Sequence, residues 1–157
     1  MIENIDTGSI ASTQKRITAF VIDDIVIALL ILSIFYGQLL EIASHLPQVI
    51  TAESIETFKE EMNQFSVNNL LLIILLKVMY HTFFVWQNGK TLGKYFMKIK
   101  VVDVQTQVNL PLSKALLRAS LRIVSEVFFY LGFLLAFFMP LKQTLHDKLS
   151  GSVVING

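Results

Sequence analysis

The chain has 157 residues, the length of one domain, and with 54% apolar against 16% charged residues it is too apolar for an ordinary soluble surface. Its mean hydropathy of +0.60 argues against disorder and points to an integral membrane protein. Cysteine is absent, which excludes disulfides, thiolate catalysis and Cys-based metal sites, and a net charge of +1 excludes nucleic-acid binding through overall charge.

The first apolar run is Ile17–Leu40, about 36 Å as a helix and long enough to cross a hydrocarbon core with some tilt. It does not read as a signal peptide: it is too long, it holds Asp23 and Asp24, and no small-residue cleavage site follows. Next, Ile55, Phe58, Met62 and Phe65 recur at helical spacing. Ala52–Phe65 is therefore expected to be an amphipathic helix that lies on the outer interface or runs straight into the second span. That span, Leu70–Trp86, is about 25 Å long and crosses if it starts near Val67.

Asn88-Gly89 is a turn signal, and Thr91 is placed to cap a short turn carrying Lys94. Lys98–Val104 alternates and is rich in β-branched residues, so it reads as a strand. Pro111 ends the extended part, and Ser113 is the expected N-cap of the next helix. The third apolar run is Leu121–Leu141, and a second strand, Ser152–Ile155, lies near the C-terminus. An isolated short strand is rarely stable, so its natural partner is Lys98–Val104, on the same side of the membrane. A helical hairpin broken at Gly132 would bring the tail back to that side. Its arms of roughly 15 residues, about 23 Å, make it re-entrant or interfacial. A single third span would leave the tail on the other side, and the hairpin is the preferred form. The expected fold is an all-α membrane bundle with a small cytoplasmic β element. It has two full spans plus a third apolar region that is a broken helical hairpin or a third span.

Loop charges orient the chain. Glu41–Asn68 holds one Lys and five Glu, whereas Gln87–Lys114 holds five Lys and one Asp. Because Lys and Arg favour the cytoplasmic side, the first loop is expected outside, the second inside, and the N-terminus with Lys15 and Arg16 inside.

Seven titratable groups fall in or beside the apolar runs: Asp23, Asp24, Lys77, His81, Arg118, Arg122 and Glu126. A charge at mid-bilayer costs about 2.5–3.5 kcal/mol on insertion scales, so such residues pair or carry function. Lys77 and His81 share a helix face, as do Arg118, Arg122 and Glu126. Measured from the cytoplasmic helix ends, Asp23, Arg118 and His81 lie about 8–10 Å deep, and Lys77 and Arg122 about 14 Å. They meet in one slab of the inner leaflet. Arg16 and Asp23 are two turns apart, so Asp23 is expected to find its counter-charge on Lys77, Arg118 or Arg122. The cluster reads either as helix-packing ion pairs or as a polar pathway in which a carboxylate binds a cation or a proton.

The same residues carry a family resemblance. Lys15-Arg16 is followed by Asp23-Asp24; Gly89-Lys90-Thr91-Leu92-Gly93-Lys94 runs into Lys98-Ile99-Lys100-Val101-Val102-Asp103. Leu112-Ser113-Lys114-Ala115-Leu116-Leu117-Arg118 and Gln143-Thr144-Leu145-His146-Asp147-Lys148-Leu149-Ser150-Gly151-Ser152-Val153-Val154 follow in order. Over nearly its whole length the chain resembles the RDD family of small membrane proteins, named for the Arg and the two Asp. It departs from the family in having Gln105-Thr106-Gln107 where many members have an acidic-Gly turn. The resemblance implies a single RDD-type membrane domain over residues 1–157, usually bacterial. Transport, including cation/proton exchange, is the usual suggestion for the family. It makes Arg16, Asp23 and Asp24 the leading site residues, with His146 and Asp147 as a second cluster just outside the membrane. The bland account of His146–Asp147, a helix C-terminus that anchors the sheet, is preferred.

No nucleophile–base–orienter set, P-loop or metal signature is visible, so neither an enzyme nor a cofactor is expected. The basic loop with Lys90, Lys94, Lys98 and Lys100 fits anionic headgroups or topology better than nucleic acid. Two functions follow from the sequence. The first is a small inner-membrane transporter of a monovalent cation or proton, expected as a homo-oligomer, with Asp23 as the working carboxylate. The second is a non-transporting assembly or scaffold subunit that docks through its cytoplasmic sheet.

Overall fold

A computed structural model describes residues 9–46, 51–128 and 131–157. It is mostly helical with one small sheet. Two helices are long and apolar enough to cross a membrane: α1, Thr13–Ile34, with 22 residues, and α4, Leu70–Asn88, with 19. Many of their large apolar side chains are on the outside. Ile17, Val21 and Ile25 of α1 and Met79, Phe83 and Trp86 of α4 are exposed, whereas Asp23 is 0% and His81 2% exposed. Such an inside-out distribution is stable only where the surrounding medium is itself apolar.

The described residues divide into two compact units. One takes in Ile27–Leu76: the second half of α1, α2 (Tyr36–Ser44), α3 (Ala52–Asn68) and the start of α4. The first apolar run is not one helix to Leu40. α1 stops at Ile34, and Phe35 turns the chain into α2. Phe35 is buried and meets the Phe65 ring edge-on at 5.3 Å, so packing accounts for the bend. The expected amphipathic helix is present as α3. It opens on a capping box in which Thr51 accepts from the Ser54 N–H and Ser54 accepts from the Thr51 N–H. It ends at Asn69, whose side chain donates to the Phe65 carbonyl at 2.9 Å, and α4 begins at the next residue.

The second unit takes in Met1–Val26 and Lys77–Gly157. It contains α5 (Leu92–Phe96), β1 (Ile99–Asp103), α6 (Leu112–Val127), α7 (Leu131–Leu134), a 3₁₀ turn (Leu135–Phe137), α8 (Leu145–Leu149) and β2 (Ser152–Asn156). β1 and β2 pair antiparallel with Val101 opposite Val154, the partnership expected from their alternation. Ile10 bridges to Ile155, and the Ala11 N–H donates to the Val154 carbonyl at 3.0 Å. The core beneath the sheet is Ala11, Ala19, Val85, Ile99, Val101, Leu110, Ala115 and Val154. The turn after β1 dispenses with glycine. Asp103 accepts from the Gln105 and Thr106 N–H groups, and Gln107 takes the left-handed conformation at φ 57°.

α6 starts one residue after Pro111, so Pro111 and not Ser113 is its N-cap. Proline's fixed φ suits a helix start, and Ser113 lies exposed in the first turn. α6 stops at Val127, so Leu121–Leu141 is not one unbroken helix. Gly132 itself lies within α7, and residues 129–130 are outside the described residues. The second arm is α7 and a 3₁₀ turn rather than a helix of some 15 residues. α6 is amphipathic in an unusual sense, since Ala115, Arg118, Ala119, Arg122 and Ser125 form its buried face.

Candidate functional site

Apart from the Lys114–Asp103 pair beside the sheet, three groups in the second unit gather charged residues from α1, α4, α5, α6 and α8. The first surrounds Asp23 on α1. Its Oδ1 accepts from the Tyr80 hydroxyl at 2.9 Å and from the Gly93 N–H at 2.8 Å. Its Oδ2 accepts from the Thr91 hydroxyl at 2.6 Å and from the Lys94 ammonium at 3.5 Å. Lys94 also donates to Thr91 at 3.2 Å, and the Leu92 N–H donates to the Tyr80 oxygen at 3.2 Å. A buried carboxylate needs several donors, and short α5 with its N-cap Thr91 supplies three of these four. The counter-charge of Asp23 is therefore Lys94, not Lys77, Arg118 or Arg122. The depth argument measured distance along helices only, whereas α5 folds back against α1. Thr91 is the N-cap of α5, as expected, but makes no capping bond because its hydroxyl is spent on Asp23.

Gly93 makes this approach possible. A Cβ there would lie 2.1 Å from the Ala19 carbonyl oxygen and 3.0 Å from Asp23 Oδ1. Lys94, 6% exposed, is held in an environment that penalises its charge. Burial pushes its ammonium down to about 8, against the opposing pull of the Asp23 charge.

The second group is a chain of alternating charge. Asp24 accepts from Arg122 at 3.1 Å, Arg122 also donates to Glu126 at 3.1 Å, and Lys77 donates to Glu126 at 2.7 Å. Arg122 further stands 4.6 Å over the Phe20 ring.

The third group centres on Asp147, 1% exposed. Its Oδ1 accepts from Arg118 at 2.6 and 3.0 Å, and its Oδ2 lies 3.4 Å from Arg16 Nη1. Arg16 also donates to the Lys142 carbonyl. Asp147 and Thr144 form a capping box at the start of α8, so this residue belongs to a helix N-terminus and not to the C-terminus expected of it. Burial raises the Asp147 carboxyl, but Arg118 and Arg16 outweigh it and hold the group far below the usual carboxylate range. Burial pushes the neighbouring His146 imidazole well below its usual value, against the raising effect of Asp147.

His81 is buried with both ring nitrogens unpartnered among the described residues. The structure thus brings Arg16, Arg118, His146 and Asp147 together in one group and Asp24, Lys77, Arg122 and Glu126 in another. It gives Asp23 partners that sequence reasoning missed: Tyr80, Thr91, Gly93 and Lys94. The signal that could have found them is the run Thr91-Leu92-Gly93-Lys94, a glycine among donors opposite a buried carboxylate.

The sequence profile of the RDD family matches residues 10–151. An uncharacterized protein of Rickettsia prowazekii is 34% identical over 96 residues, covering 59% of this chain and 53% of that protein, so the chain matches about half the length of this relative. No solved structure matches the chain. The profile covers α1 with its Arg and Asp pair, β1, α6 and α8, and on this evidence the chain belongs to the RDD family of small membrane proteins.

Proposed function

We propose that this protein exchanges a monovalent cation for a proton across the bacterial inner membrane, with no covalent chemistry, and that the exchange runs through Asp23 and Lys94. The observation that carries this reading is a buried carboxylate whose counter-ion is a lysine held near neutrality rather than an arginine. When Lys94 gives up its proton, the Asp23 carboxylate loses its counter-cation. A monovalent cation then takes the place of the ammonium, with Asp23, Tyr80 and Thr91 offering the oxygen ligands that hard cations prefer. One proton leaves as one cation enters, so the buried charge stays constant. Positive loops put the N-terminus and the sheet in the cytoplasm. Few short helical segments hardly enclose a pathway, which favours a homo-oligomer.

The test is flux in liposomes with a pH dye and gradients of Na⁺, K⁺ or Li⁺. Wild-type exchange should vary with pH around about 8, where Lys94 titrates. Lys94→Arg keeps the ion pair but does not release a proton, so it should fold and lose exchange to the level of empty vesicles. Asp23→Asn should lose exchange as well. Undiminished exchange in folded Lys94→Arg would remove Lys94 from the mechanism. A second reading, a non-transporting assembly or scaffold subunit, is favoured by the pairing of every carboxylate in the three groups with a cation. No flux in the wild type with any of the three cations would support it.

A further inference from the structure

The three groups hold five cations, Arg16, Lys77, Lys94, Arg118 and Arg122, against four carboxylates, Asp23, Asp24, Glu126 and Asp147. The surplus positive charge sits where Arg16 and Arg118 share Asp147. Arg118 takes the short bonds, and Arg16 reaches the carboxylate only at 3.4 Å. Arg16 Nε and Nη2 are buried and have no partner among the described residues, and neither does His146 Nδ1. Idle buried donors of this kind are costly, most of all on a charged group.

A cavity of about 280 Å³ lies against these groups, with Arg16, Lys94, Arg118, Arg122 and His146 in its walls. Its volume is close to the ~300 Å³ at which small-molecule sites begin. Asp23 and Asp24 are not part of the lining; among the described residues Asp147 is the one carboxylate that is. Apart from Thr13 and Thr144 the remaining wall is apolar and includes Ile17, Leu134 and Phe137, which are 53%, 51% and 63% exposed. A cationic floor with a lipid-compatible rim fits an anionic head joined to an apolar tail. The guanidinium fork matches a phosphate's oxygens better than it matches a halide.

We propose that this cavity binds a phosphate-type anion, supplied by the headgroup of an acidic phospholipid whose acyl chains lie along Ile17, Leu134 and Phe137. The anion would complete the charge balance of Arg16 and Arg118. Lys94 is shared between this cavity and the Asp23 site, but Asp23 does not line the cavity, and the readout below is binding, which does not require cation exchange.

The experiment measures thermal unfolding of the full chain in neutral maltoside detergent. Short-chain phosphatidylglycerol, short-chain phosphatidylcholine and inorganic phosphate are compared. Phosphatidylglycerol should raise the midpoint saturably, with the folded-to-unfolded ratio up about a hundredfold at a hundred times its Kd. Phosphatidylcholine should leave it unmoved. Arg16→Gln should weaken the phosphatidylglycerol effect about tenfold or more. Should Arg16→Gln not fold, Thr13→Glu places a carboxylate at the same cavity from within. That variant should fold without lipid and lose the response to phosphatidylglycerol. A wild-type response in Thr13→Glu, equal shifts from the two phospholipids, or no shift from any additive would each overturn the site. A shift from inorganic phosphate but not from phosphatidylglycerol would keep the anion site and overturn the lipid as its source.

Discussion

Gly93 sets how closely α5 can approach α1. Its N–H lies 2.8 Å from Asp23, and any side chain would collide with the backbone at Ala19. Gly93→Ala must push the two segments apart and lengthen the bonds to Asp23. Overpacking alone costs about 1–3 kcal/mol, and a lost hydrogen bond to a charged group costs about 1.5–3 kcal/mol more. The thermal midpoint of Gly93→Ala in detergent should therefore fall well below the wild type; an unchanged midpoint would show that the approach is not a rigid one. At this scale the sequence made the intramembrane acids conspicuous, because a charge in an apolar run stands out. It did not reveal Lys94 as the partner of Asp23. Lys94 sits in a basic loop, where its charge looks ordinary, and only the return of α5 toward α1 buries it.

α8 has five residues and little reason to be helical alone, so its position depends on what Asp147 accepts. Asp147→Asn leaves Arg118 and Arg16 buried without their anion and should cost about 3–5 kcal/mol, read as a lower midpoint of unfolding. Acid should act on the same element. His146 and Asp147 both bind protons less readily folded than unfolded. The unfolded state therefore takes up protons first as pH falls, and stability rises with pH in that range. The His146 contribution is complete above its ordinary value of 6.5 and is lost as pH drops below it. A melting series from pH 7 to pH 5 should decline in the wild type and decline less in His146→Gln. The elements with a clear period were legible, namely the two strands and α3. The bounds of α1 and α6 were not. Inside an apolar run no polar cap marks a helix end, and the bend at Phe35 is set by a ring packed against Phe65.

For the molecule as a whole, the sheet ties both ends of the described chain together. The Ala11 N–H bonds to Val154 and Lys15 donates to Asn156 at 2.8 Å. Ser12 and Asn156, both exposed, must therefore lie on one side of any membrane that the chain spans. Cysteines placed singly at these positions, in a chain with none of its own, should react alike with an impermeant thiol reagent in intact cells. Labelling from opposite sides would contradict the pairing of β2 with the N-terminal segment. Strand pairing was legible from alternation alone, but the number of crossings was not, since one apolar run fits a span, a hairpin or the interrupted segment found here.

The bond between Arg16 and Asp147 spans 131 residues of sequence. At about 5–20 residues per second, a ribosome delivers the aspartate on the order of 10 s after the arginine. During that interval α1 is already available for insertion; the partners of Asp23 and Asp24 emerge by Arg122, whereas the Arg16 guanidinium still waits for its carboxylate. Assembly of this unit thus waits for the segment that carries Asp147. A nascent chain stalled or cut before α8 would present the membrane quality-control machinery with an uncompensated charge, and such fragments should be cleared faster than chains that reach β2.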